Sequence, residues 1–439
     1  MCGATDDRLQ LSEAGGETWS LYVAGDCVYD RPPTPSTIGE SLADHVASND
    51  VSILNLEAPI PADDSIPKAG PRKESHPDVP ALLAETGFDT VTLANNHTMD
   101  HGLGGLSNTV DACAAAGLDT LGVGTDITDA LTPQYRTVNG TEIAIVNACE
   151  REFGVATERE PGTAWIGHPD APRVIERAND RADAVILIAH GGVEFVPLPP
   201  TQWQRRLRRL SDAGADLVVA HHPHVPQGWE RHEGTPIFYS LGNFLFNHTA
   251  RPKAEWGLSL EISFDGPTPA SARLLLTEET DAGVDLLDDE SRREERLAHL
   301  HRLSGIIADP DEYAAHWQEI ATRIFNQRYS GWLRRAAGGN PVALVRQPRQ
   351  HLTQDGLWDG DARQDELLTL LNVVRNSSHR SVMETALAVE TGTVPDLRTP
   401  EVERRVRELL SWTEDQAVYD RPSLIERTAN GLLDRFSDR

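Results

Sequence analysis

His221, His222 and His224, with Pro223 among them, place three imidazoles within four residues, directly after the apolar run Leu217–Ala220. Neutral imidazole is the commonest metal ligand among protein side chains. Pro223 has no backbone donor and restricts the residue before it, so the chain leaves the strand and turns there. His222 and His224 are thereby presented from a stiff turn. Four other apolar runs end in the same way: Trp19–Ala24 leads to Asp26, Val51–Leu56 to Glu57, Asp89–Ala94 to Asn96 and His97, and Asp183–Ala189 to His190. A solvated polar turn explains any one of these. Five in succession, each behind a buried strand, point instead to a shared site. Two carboxylates, one amide and three imidazoles suit two divalent ions of the borderline kind, manganese, iron or zinc. A bridging carboxylate holds such a pair about 3.5–4 Å apart, which suits attack at a phosphoryl or acyl centre.

The elements that must position these residues follow an α/β rhythm. Helical spacing over Ile38–Ser48, Pro80–Gly87, Leu106–Ala116, about 171–181 and Trp203–Ala213 alternates with the strands above and with Thr120–Val123, Glu142–Asn147 and Pro236–Leu241. Parallel strands deliver their carboxyl ends to one edge of a sheet, where α/β proteins bind ligands. Residues 150–170 read as a loop, and 256–277 as further alternating strands that complete the sheets. Residues 1–17 read as a flexible leader and 18–280 as the α/β domain. From 285 to 439 the spacing is mostly helical, over Ser291–Ala308, Pro310–Tyr329 and Pro400–Ser411, and implies a separate module with Trp332, Trp358 and Trp412 in its core. His316, His351 and His379 share no spacing and read as surface or core histidines. Arg205, Arg206, Arg208 and Arg209 read as the solvated face of an amphipathic helix.

The 439 residues carry 68 acids against 40 bases, a net charge of −28. Lys68, Lys73 and Lys253 are the only lysines. Acidity spread along the chain is a solvating surface, and it excludes nucleic acid as a partner, which requires a basic footprint. A small-molecule or polyanionic substrate is the expected partner. Such self-repulsion is relieved by screening, so thermal stability is expected to rise from dilute buffer to molar salt. Full stability in dilute buffer would contradict that expectation. Cys2, Cys27, Cys113 and Cys149 lie far apart and form neither a zinc motif nor a disulfide framework. The first residues have no basic and apolar signal regions, and no apolar run has the length of a membrane span. These features lead to the expectation of a soluble, cytoplasmic protein. Neither a nucleotide-binding G-x-x-x-x-G-K-[ST] loop nor a G-x-S-x-G elbow occurs.

Gly25-Asp26, Asn55-Leu56-Glu57, the segment 94–102 (ANNHTMDHG), 190–195 (HGGVEF), 221–228 (HHPHVPQG) and 239–246 (YSLGNFLF), in this order, resemble the capsule synthesis protein CapA family, linked to poly-γ-glutamate and related to the calcineurin-like metallophosphoesterases. Residues 368–388 also resemble an appended segment of some members. The resemblance implies a four-layer α/β/β/α sandwich. It implies that Asp26 and His224 bind one ion and Asn96, His190 and His222 the other, with Glu57 between them. It also implies His97 as general acid, Asp100 orienting it, and water activated at the metals as nucleophile. Cys27 and Val28 stand where the phosphoesterases carry the remainder of Asp-x-His, and Glu57 replaces their bridging aspartate. Glu194 is a further ligand or substrate contact on this reading. The implied activity is metal-dependent hydrolysis of a phosphoester or γ-glutamyl amide. The alternative is an accessory role in polymer synthesis or export.

Overall fold

The computed structural model describes residues 6–13, 16–246, 256–280, 282–338 and 354–414. Among them, two sheets carry the architecture. The first runs in the order Arg8–Gln10, Thr268–Glu279, Gly257–Asp265, Trp19–Val28, Val51–Leu56, Thr90–Thr92, Asp119–Leu121, and Asn243–Phe246 also pairs with Trp19–Val28. The second runs Trp229–His232, Thr235–Phe238, Leu217–His221, Ala184–His190, Thr141–Cys149, Gln134–Val138. Trp19–Val28, Val51–Leu56 and Thr90–Thr92 are parallel neighbours, as are Thr141–Cys149, Ala184–His190 and Leu217–His221.

Side chains of a strand alternate between its two faces, and this alternation builds the layers. Leu21, Val23 and Ile53 of the first sheet meet Ile143, Ile145, Ile186, Ile188 and Val219 of the second in one buried cluster between the sheets. Their neighbours face outward. Tyr22, Ala24 and Leu54 pack under helices Glu40–Ala47 and Val79–Thr86 through Leu42, Val46 and Leu83. Val185, Leu187, Val218 and Ala220 pack under helices Ala171–Asn179 and Thr201–Asp212 through Ile175, Trp203, Leu207 and Leu210. The result is the four-layer α/β/β/α sandwich expected from the resemblance. Burial of each such aliphatic side chain contributes about 1.5–3 kcal/mol.

Two features differ from the expected organisation. Arg8–Gln10 forms an edge strand on Thr268–Glu279, because Leu9 and Leu11 fall on one face and are buried. The C-terminal helices do not form a separate core. Ile320 of Pro310–Ile324, Val382 of Ser377–Glu390 and Val406 of Pro400–Glu414 lie in the same cluster as Trp203 and Val185. The boundary near residue 285 therefore does not divide two cores. Trp332 packs partly buried against this cluster, whereas Trp358 is 60% exposed and packs no core. The side chain of Trp412, and the whole of His351 and Lys253, lie outside the described residues. Among the described residues no helix is long and apolar enough to cross a membrane.

Candidate metal centre

The parallel strands bring the polar strand ends to one edge of the sandwich. The strand Leu217–His221 stops at the histidine turn, where His222 and His224 adopt φ of 101° and 57°. Non-glycine residues in this region cost of order 1–3 kcal/mol each and persist only where their surroundings hold them. Here the Asp26 Oδ2 atom accepts the His222 backbone N–H at 3.1 Å, and His224 Nδ1 lies 3.0 Å from Asn243 Oδ1. Gly25 permits the close approach of the two strands: a Cβ at this position would lie 2.3 Å from the Gly242 carbonyl.

Asp26 is fully buried and also accepts from Asn55 Nδ2 at 2.7 Å. Its carboxylate lies 3.5 Å from His224 Nδ1, 3.6 Å from His221 Nδ1 and 3.9 Å from His190 Nδ1. Burial opposes its ionisation, but the His224 contact and the surrounding imidazoles hold it below the usual carboxylate range. Glu57 follows the strand Val51–Leu56 and has the opposite environment. Both of its oxygens are buried without a hydrogen bond, and the nearest imidazoles are His224 Nε2 at 3.6 Å and His97 Nε2 at 4.0 Å. Burial raises its pKa despite His224.

The turn after Thr90–Thr92 is built on Asn95, whose Oδ1 accepts the backbone N–H groups of His97 and Thr98 at 3.0 and 2.9 Å and whose Nδ2 donates to Leu56 O at 3.0 Å. That turn presents Asn96 Oδ1 to His190 Nε2 at 3.1 Å. His97 Nδ1 donates to Asp100 Oδ2 at 2.6 Å, which leaves Nε2 facing Glu57. Lys68 donates to Asp100 Oδ1 and, at 3.2 Å, to the Asn96 carbonyl. Burial first, then the nearby Lys68 charge, pushes the His97 pKa down to about 3. Lys68 Nζ also lies 3.1 Å from His97 Nδ1, so Asp100 and Lys68 meet the same edge of the ring and Nε2 is left toward the cluster.

Of the six expected ligands, Glu57, His222 and His224 bring donor atoms within 4.8 Å of one another. Asn96 and His190 touch each other, and the His190 ring lies 4.9 Å from that of His222, centroid to centroid. Asp26 contacts the group through His224. Both ring nitrogens of His222 are buried without a hydrogen bond, as are both Glu57 oxygens. Such groups are costly to bury unpaired, and a mixed imidazole–carboxylate set is a good fit to a divalent cation. Glu57, His222 and His224 would hold that ion, with Asn96 and His190 beside His222 for a second.

The cluster opens on a cavity of about 310 Å³ whose lining includes His97, Lys68, Lys73, Glu152, Glu194 and Arg328. Two of the three lysines of the chain thus face one cavity, and their scarcity was the signal that could have drawn attention to them. Glu194 also lines it, its pKa brought down to about 2 against burial by His224, His222 and Lys73. Sequence reading passed over Glu152, His379, Tyr329 and Arg328, which also line it. The last three come from the C-terminal helices and have no local pattern that sets them apart.

A model of the family described as bacterial capsule synthesis protein PGA_cap matches residues 20–248, more than half of the chain. The chain belongs to this family. The capsule biosynthesis protein CapA of Bacillus anthracis is 34% identical over 171 residues, 38% of this chain and 42% of that protein. The PGA biosynthesis protein CapA of Bacillus subtilis is 36% identical over 170 residues, 38% of this chain and 44% of that protein. A "probable polyglutamine synthesis accessory protein" of Mycobacterium tuberculosis is 34% identical over 226 residues, 47% of this chain and 58% of that protein. The chain spans about half the length of the curated relatives it matches. Every expected site residue falls inside the PGA_cap match, whereas Arg328, Tyr329 and His379 fall beyond it.

Proposed function

We propose that this PGA_cap protein is a metal-dependent hydrolase of a phosphoester or γ-glutamyl amide in poly-γ-glutamate capsule metabolism. The observation that carries the reading is the set of unpaired buried ligand atoms on Glu57 and His222, converging with those of His224, beside the His97–Asp100 pair. A bound divalent ion supplies Lewis acidity to a phosphoryl or acyl oxygen and lowers the pKa of water. The rest is the work of side chains. Asp100 fixes the His97 tautomer, Lys68 fixes Asp100, and His97 Nε2 takes a proton at the face turned toward Glu57. Lys73 and Arg328 supply positive charge in the cavity for an anionic substrate. Burial of the site strengthens each of these interactions.

The test is hydrolysis of a phosphodiester, a phosphomonoester and a γ-glutamyl peptide by the full chain with manganese added. Turnover of one of them, abolished by chelation and restored by the ion, is expected. Bound metal without turnover would favour a second reading, an accessory component that binds polymer or a phosphorylated intermediate. The name of the mycobacterial relative favours that second reading.

A further inference from the structure

Glu150 and Glu152 stand just past the strand Thr141–Cys149, at the same edge as the ligand cluster, and both are buried. Each is gripped by the junction between helices Gln364–Arg375 and Ser377–Glu390. Asn372 Nδ2 donates to Glu152 Oε2 at 3.2 Å, Asn376 Nδ2 to Glu152 Oε1 at 3.4 Å, and Arg375 Nη1 to the Glu152 carbonyl at 3.4 Å. Ser377 Oγ donates to Glu150 Oε1, while Glu150 Oε2 accepts the Gly192 N–H at 3.1 Å, in the turn after His190. The same Glu152 Oε1 atom lies 3.8 Å from His222 Nε2, on the ring whose nitrogens have no hydrogen bond.

We propose that Glu152 is a positioning residue for His222, held in place by the amides of Asn372 and Asn376, so that the C-terminal helices set the divalent-cation affinity of the Glu57–His222–His224 cluster. The inference rests on the metal reading of that cluster. A carboxylate beside a ligating imidazole orients the ring and strengthens it as a ligand, and loss of such a partner typically costs about 10–100-fold in metal affinity. The carboxylate must itself be fixed, and the Asn372 and Asn376 amides hold both of its oxygens. Asn376 is committed twice: its Oδ1 caps the helix Ser377–Glu390 by accepting the His379 N–H at 3.0 Å, which aims its Nδ2 at Glu152. Asn372, Asn376 and Ser377 all lie outside the PGA_cap match to residues 20–248. The clamp is thus supplied to a family site by a segment beyond it.

Calorimetric titration of the full chain with Mn²⁺ tests this, with Glu152→Gln, Asn376→Asp and, as a reference for a lost ligand, His222→Ala. Asn376→Asp keeps the capping oxygen but removes the donor and sets a like charge against Glu152. Both Glu152→Gln and Asn376→Asp are expected to bind Mn²⁺ about 10–100-fold more weakly than the parent, with unchanged far-ultraviolet circular dichroism. Should Asn376→Asp lose helix content, the near-isosteric Glu152→Gln decides alone. Parental affinity in Glu152→Gln overturns the inference while leaving the metal reading intact. A parent chain that takes up no Mn²⁺ overturns both.

Discussion

His222→Ala is expected to lose its divalent ion and, with it, turnover. The substitution should weaken metal binding by more than the about 10–100-fold that loss of an outer partner costs. The reason is geometric. His222 is one of three side chains whose donor atoms converge, and its ring nitrogens have no hydrogen bond to lose. Its strained backbone, with φ of 101°, is held by the Asp26 carboxylate through the main-chain N–H rather than through the ring. The turn therefore survives the loss of the imidazole, and the effect falls on the ion. Metal content by mass spectrometry, measured with far-ultraviolet circular dichroism on the same sample, checks this. Full metal retention in a folded His222→Ala chain would remove that residue from the ligand set.

His97→Ala is expected to show the complementary pattern, metal retained and turnover lowered by about 10²–10⁴-fold, the usual contribution of a positioned acid or base. His97 Nε2 lies 4.0 Å from Glu57, while its Nδ1 is engaged by Asp100. Removal of the ring thus takes away a proton acceptor without taking away a member of the convergent cluster. Asp100→Asn should lose part of the same factor, because an amide no longer dictates which ring nitrogen holds the proton and no longer pairs with Lys68. Single-turnover rates alongside metal content separate the two steps. Equal turnover in His97→Ala and the parent would remove His97 from the catalytic groups.

Much of the site was legible because strand ends are local. A buried run that stops at a charged or imidazole side chain shows itself within a few residues, as in Val51–Leu56 before Glu57 or Leu217–His221 before His222. The order of layers came from the family resemblance, and the alternation along Ala184–His190, which sends Val185 and Ile186 to opposite faces, is its physical basis. Roles within the site were less legible. Nothing in the sequence distinguishes Asp26, engaged by Asn55 and the His222 backbone, from Glu57, whose oxygens have no hydrogen bond. The C-terminal contribution was hidden by distance. Asn372 and Glu152 are 220 residues apart, and His379, read as an unremarkable histidine, meets Tyr329 Oη at 2.6 Å in the cavity wall. Helical periodicity reports which face of a helix is buried, not that the face closes a site made by another part of the chain.

The most direct test of the central claim is the metal content of the full chain, purified in high salt and dialysed against manganese, iron or zinc, with hydrolysis followed on the same sample. Divalent ion retained by the parent, lost in His222→Ala, and accompanied by turnover that His97→Ala lowers by about 10²–10⁴-fold is the predicted result. A folded parent chain that retains none of the three ions would contradict the account.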